Sequence, residues 1–388
     1  MKKILIIEDD QLVANIYRNK FGMEGFLVEI ALDGESGFEL VNTFRPAIVI
    51  LDLMLPKVAG LDLLKKIRAQ PAFKHLPVIV FSNTYLSNMV QEAWKAGATK
   101  CLSKANCTPK QVIEVARSLL LPQTTPPGPA AAGLAPAQSD SDAAFQAELR
   151  QSFLQTVPAT LTASRTALQA LAKNPDEATR VRQLQELYRR IHAMTGNAGV
   201  AGMVHIAQMG DALEALVKEL YDKPKNINAS TLRSVALAID FLGVLFERSR
   251  QPQAHSAQPQ LQPSILVVDD EAISRRAVTY ALEKAKLKAV SVENPEAALQ
   301  MLAEKTFDLV FLDVDMPGMN GFELCTKLRA LQRNKTTPVV FVTSLTDFES
   351  RANSTISGGN DLIAKPFLFI ELTVKALVYI LRGRLPAK

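Results

Sequence analysis

At 388 residues the chain is long for one ordinary domain and calls for two or three separately buried cores. Its composition, 48% hydrophobic and 21% charged with a formal net charge of +5, is globular rather than disordered or membrane-like. Lys and Arg are scattered along the chain, which argues against nucleic-acid binding, and no segment reads as long and apolar enough to span a bilayer.

The opening run Ile4-Leu5-Ile6-Ile7 is cut by Glu8, Asp9 and Asp10 far too early for a signal peptide and reads as a strand. In residues 1–121 this run, Ile48-Val49-Ile50-Leu51 and Val78-Ile79-Val80-Phe81 alternate with stretches of helical period. Residues 122–139, rich in Pro and Ala, lack the apolar content to offset ordering entropy and read as a linker. Residues 140–250 show helical spacing throughout, as in Leu184, Leu187, Tyr188, Ile191, Met194 and Ala198, then Leu213, Leu216, Val217 and Leu220; about four helices fit, in an antiparallel bundle. A Gln/Pro-rich linker occupies 251–263. Residues 264–388 repeat the first pattern in Ile265-Leu266-Val267-Val268, Leu309-Val310-Phe311-Leu312 and Val339-Val340-Phe341-Val342. Continuous apolar strands alternating with helices predict an α/β, doubly wound parallel sheet at each end, with an all-α bundle between. Cys101, Cys107 and Cys325 have neither the count nor the spacing of a disulfide framework or zinc site, so reduced thiols in a cytoplasm are expected.

Polar residues follow the strands in the same order in both outer segments. Glu8 and Asp9, Asp52, Ser82 and Lys104 in the first correspond, at equal intervals, to Asp269 and Asp270, Asp313, Thr343 and Lys365 in the last. The carboxyl ends of parallel strands converge on one crevice. Clustered carboxylates raise one another's pKa unless a hard divalent cation joins them, and Mg2+ held by two acids, a backbone carbonyl and waters suits the set. The central Asp is then a nucleophile toward a phosphoryl group, the Lys neutralises phosphate charge, and the Ser or Thr hydroxyl bonds a phosphate oxygen. Any one of these residues alone has a structural explanation, such as a helix N-cap. Repetition of the whole set makes the site reading the stronger one.

Both outer segments resemble response-regulator receiver domains of two-component systems, whose sheet is flavodoxin-like. The resemblance rests on the runs through Asp10 and Glu271, on Leu51-Asp52-Leu53-Met54-Leu55-Pro56 with Gly60, on Leu312-Asp313-Val314-Asp315-Met316-Pro317 with Gly321, and on Ser82 with Lys104 and Thr343 with Lys365-Pro366. It implies that Asp52 and Asp313 are phosphoacceptors and that the acid pairs, with the main-chain carbonyls of Met54 and Asp315, bind Mg2+. The first copy departs at Asn83 and Ala105, which makes Asp313 the site expected to react more readily; Cys101 and Leu362 replace the family's switching aromatic.

The middle segment carries Arg189-Arg190-Ile191-His192-Ala193-Met194-Thr195-Gly196-Asn197-Ala198-Gly199. On a helix Gly196 and Gly199 share the face of His192, and clearing side chains there admits a partner's crevice, at about 1 kcal/mol per glycine. A helix-boundary His with a glycine cap is the structural alternative. The segment resembles a histidine-phosphotransfer (Hpt) domain, with Phe153, Pro158 and Leu161 similar to its opening helix, which implies that His192 is a phosphoacceptor. Thr195 stands where that family commonly has Lys, and Arg189 is the candidate replacement cation. His205 reads as a structural or surface residue.

No kinase nucleotide-binding motif, P-loop or dinucleotide fingerprint is found, and no output segment follows the final helix. The expectation is a cytoplasmic phosphorelay protein that is not a kinase or other conventional enzyme. Its implied partners are a sensor histidine kinase and other receiver or Hpt proteins, with a homodimer through a receiver face and with neither nucleic acid nor membrane. The competing reading is a phosphorylation-switched scaffold whose bundle transfers nothing.

Overall fold

The computed structural model describes residues 2–82, 89–104, 107, 109–120, 140–173, 176–250, 262–344 and 354–385. The linker expected at 122–139, most of the one at 251–263, and positions Asn83 and Ala105 lie outside the described residues. The chain divides into two compact units, Met1–Ala163 with Tyr188–Glu214 and Ser164–Leu187 with Ala215–Lys388.

In the first unit, strands β1 (Lys3–Ile7), β2 (Leu27–Ala31), β3 (Ile48–Leu51), β4 (Val78–Ser82) and β5 (Lys100–Ser103) form a parallel sheet in the order β2-β1-β3-β4-β5. Helices α1 (Gln11–Met23), α2 (Gly34–Phe44), α3 (Gly60–Ala69), α4 (Met89–Lys95) and α5 (Pro109–Leu120) connect and follow them. The two-residue period of a strand explains why its runs are continuously apolar. Ile4, Ile6, Ile48, Ile50, Ile79 and Phe81 join Val13, Ile16 and Tyr17 of α1 and Val112 of α5 in one core. Their neighbours Leu5, Ile7, Val49, Leu51, Val78 and Val80 join Val41, Leu63 and Ile67 in another. Both faces are thus buried, at roughly 1.5–3 kcal/mol for each large apolar side chain. Local signals set the helix starts: Asp33 accepts from the amides of Glu35 and Ser36 ahead of α2.

The middle region is helical, with α6 (Asp140–Lys173), α7 (Glu177–Val200), α8 (Val204–Asp222) and α9 (Ala229–Ser249). Helix α7 runs through Gly196 and Gly199, so neither caps it; the chain turns only at Gly202, whose φ of 72° favours glycine. Asn228 and Thr231 form a capping box at the start of α9.

In the second unit, β6 (Ile265–Val268), β7 (Ala289–Val292), β8 (Leu309–Leu312), β9 (Val339–Thr343) and β10 (Asp361–Ala364) repeat the topology in the order β7-β6-β8-β9-β10. Helices α10 (Ala272–Lys284), α11 (Pro295–Glu304), α12 (Gly321–Ala330) and α13 (Phe369–Gly383) accompany it. Every residue of α13 from Glu371 to Leu381 is buried, because α9, α10 and the sheet all pack against it. The buried Glu371 carboxylate accepts from Ser230 and Ser234 of α9 at 2.7 and 2.9 Å, and the Arg382 guanidinium lies over the Phe241 ring.

One sequence expectation needs correction here. Helix α9 is long and apolar enough by length and composition to cross a membrane, with a mean hydropathy of 1.6 over its most apolar window. Within the fold, 56% of that window is buried, and part of that apolar surface meets α13.

Candidate phosphotransfer site

The sheet order places the switch point between β1 and β3, where a doubly wound fold opens its crevice beyond the carboxyl ends of the strands. Glu8 follows β1, Asp52 follows β3, Ser82 closes β4 and Lys104 follows β5. The backbone pins them: the Asp52 amide donates to the Ile7 carbonyl at 2.9 Å and the Lys104 amide to the Ser82 carbonyl at 3.3 Å. Gly60 and Gly321 lie so close to the carbonyls of Asp52 and Asp313 that a Cβ on either would collide.

In the first crevice Lys104 Nζ lies 2.6 Å from both Glu8 Oε2 and Asp52 Oδ2, with all three side chains buried. Glu8 and Asp52 thus share the lysine. Asp9, Asp52 and His192 each offer one ligand atom within 4.8 Å of the others in this crevice. Burial raises the Glu8 carboxyl to about 8 despite Lys104. Burial also works against ionised Asp52, but Lys104 and His192 outweigh it and hold Asp52 below the usual carboxylate range.

His192 enters this crevice from α7. Its Nε2 lies 3.6 Å from Asp52 Oδ2, and its Nδ1 lies 2.9 Å from Oε1 of the buried Glu214 on α8. The Tyr188 hydroxyl donates to the same Glu214 oxygen at 3.1 Å, and its ring stacks on the imidazole at 5.9 Å. An acceptor at Nδ1 fixes the proton there and turns Nε2 toward Asp52. Burial opposes a charge on His192, yet Glu214 and Asp52 outweigh it and raise its pKa well above the usual value. Val200, two turns on, is buried in the core that contains Ile16 and Tyr17 of α1. Thr195 is fully buried, its hydroxyl donates to the Ile191 carbonyl, and it packs tightly against Gly210 of α8, so this position faces inward where a phosphate-binding Lys has no place. Arg189 and His205 are exposed.

Glu214 and Tyr188 are the functional candidates missed in the sequence. Tyr188 was read only as an apolar position, and Glu214 carries one signal: it is a carboxylate three residues before Val217, within the buried stripe of α8.

In the second crevice Lys365 Nζ lies 2.7 Å from Asp313 Oδ2 and 3.0 Å from Asp269 Oδ2. Asp269, Asp270 and Asp313 converge within 4.8 Å. Burial raises Asp313 even with Lys365 beside it. Thr343 is buried at the end of β9, Asp315 accepts from Ser344 at 3.3 Å, and the Lys365–Pro366 peptide is cis. The donor set is all oxygen, which fits a hard cation such as Mg2+ through Asp269, Asp270 and Asp313; in the first crevice Asp9 and Asp52 remain for one.

The response regulator receiver domain matches residues 4–117 and 265–377, and the Hpt domain matches 148–242. The chain belongs to the response regulator receiver family, with two receiver domains flanking an Hpt domain. Among its relatives are the transcriptional regulatory protein ResD of Bacillus subtilis, 37% identical over 30% of this chain and 48% of that protein. Another is the phosphate regulon transcriptional regulatory protein PhoB of Pseudomonas aeruginosa, 31% identical over 29% of this chain and 49% of its own length. The chain thus spans about half the length of these curated relatives. Among solved structures, the chemotaxis protein CheY4 of Vibrio cholerae is 28% identical over 31% of this chain and 99% of its own, with a TM-score of 0.29. The chain thus combines receiver and Hpt domains, the domain types of two-component phosphorelays.

Proposed function

We propose that Asp52 and His192 form an intramolecular phosphotransfer pair, and that Asp313 is a second phosphoacceptor. The observation that carries this reading is the seating of His192 Nε2 3.6 Å from Asp52 Oδ2 with Nδ1 anchored on Glu214. In the direction from aspartate to histidine, the ring gives any proton on Nε2 to water, its lone pair attacks phosphorus, and the Oδ–P bond breaks to return Asp52 as a carboxylate. The Glu214 carboxylate stabilises the positive ring so formed. Lys104 neutralises charge on the group in flight, and Ser82 offers a hydroxyl at the crevice edge. Since phosphoryl transfer has a loose, in-line transition state, positioning and charge neutralisation supply most of the catalysis. Mg2+, when bound through Asp9 and Asp52 or through Asp269, Asp270 and Asp313, with the Met54 and Asp315 carbonyls, neutralises phosphoryl oxygens.

In this reading the chain is a phosphoacceptor protein of the cytoplasm rather than a kinase, and its partners are a sensor histidine kinase and other receiver or Hpt proteins. The test supplies a labelled donor kinase and follows the label across Asp52→Asn, Asp313→Asn and His192→Gln chains. Acid-labile, base-stable label on His192 that disappears in His192→Gln is the expected result. Equal label in His192→Gln, or none on the wild-type histidine, makes the helical region a spacer and leaves a phosphorylation-switched scaffold.

A further inference from the structure

The two receiver crevices differ in what reaches their aspartates. The Asp52 side chain has no solvent exposure and Lys104 has 2%, whereas Asp313 keeps 6% and Lys365 19%, while Asp9 and Asp270 are exposed alike. Among the described residues, His192 of α7 stands over the first crevice. At Asp52 the imidazole of His192 stands where an in-line phosphoryl donor would stand, since attack on phosphorus requires donor and acceptor atoms on opposite sides of it. The ring is held there by its Glu214 and Tyr188 contacts and by the burial of Val200 in the core that includes α1 of the receiver.

We infer that His192 closes Asp52 to donors from outside the chain, so that Asp52 exchanges phosphoryl groups with His192 alone while the helix is seated, and direct exchange with outside donors falls to Asp313. This deepens the proposed function and rests on its assignment of Asp52 as an acceptor. It gives the two receivers different places in the relay: one is the internal partner of the histidine, the other the port. The same seating hides His192 from foreign receivers. Traffic between the internal pair and the outside therefore requires α7 to leave the crevice, and the reactivity of Asp52 toward a small donor scales with the fraction of chains in which it has left.

The test uses the full chain, phosphoramidate as a small donor, Mg2+, and site-resolved mass spectrometry, with Asp313 as the internal standard. Two variants open the crevice by different routes. His192→Gly removes the ring, and Val200→Asp places a charge in the apolar seat while keeping the ring. In wild type, Asp313 is expected to be labelled while Asp52 lags; in both variants Asp52 labelling should rise about tenfold or more with Asp313 unchanged, as for a site that is competent in only a minor population. An Asp52 rate in wild type equal to that in both variants overturns the inference. Absence of label on Asp52 in every form, with Asp313 labelled normally, removes Asp52 as an acceptor and the inference with it. A chain in which Asp52 opens in the variants but His192 never takes label from a phosphorylated receiver keeps the closure and loses only the transfer.

Discussion

Lys104 sits between two carboxylates with almost no water around it, and this fixes the consequences of removing it. Lys104→Met leaves Glu8 and Asp52 buried and facing each other, at about 3–5 kcal/mol, the usual result of breaking a buried ion pair by deleting one partner. Lys365→Met, at a partly exposed site, should cost clearly less; urea denaturation of the two variants orders them. Glu214 acts through the imidazole it holds. Glu214→Gln keeps an oxygen near Nδ1 but removes the charge, and acceptance of phosphoryl at His192 should fall by about ten- to a hundredfold with helicity unchanged, as rapid-quench transfer would report. The strand-end residues were legible because a two-copy pattern at equal intervals leaves little room for chance. Glu214 was not, because one acid in an apolar stripe acquires meaning only from the side chain opposite it, 22 residues away.

At the scale of elements, the strands were readable from their unbroken apolar runs, since each run feeds two cores by alternation. Four helices between the receivers were likewise readable from their period. What periodicity does not carry is a second buried face. Helix α9 read as an ordinary bundle helix, yet it also packs along α13, which accounts for an apolar content high enough to pass as a membrane span. The Ser230 and Ser234 hydroxyls are donors to a carboxylate that is only 2% exposed. Replacing both with Ala should cost about 2–3 kcal/mol through the unsatisfied Glu371, and adding Glu371→Met should recover most of it, because removing both partners of a buried hydrogen bond is far cheaper than removing one. Thermal melts of the double and triple variants distinguish this from a simple loss of packing, which would worsen with each change.

For the molecule as a whole, duplication of the receiver predicts duplication of the metal site, with unequal surroundings. Calorimetric titration with Mg2+ should resolve two sites, of which Asp270→Ala abolishes one and Asp9→Ala the other; a single site unaffected by either change would contradict the assignment. The order of domains could be read along the chain, whereas the seating of one helical segment in the first receiver could not, since nothing in the sequence says which of two similar crevices a histidine will enter. Val200 records the choice. Because this residue of α7 is part of the same core as Ile16 and Tyr17 of the receiver, it is not free to vary by itself. A larger or smaller side chain at 200 has to be matched on α1, so among descendants of this chain the three positions should drift together, and a receiver grafted in from elsewhere would bring the wrong half of the fit.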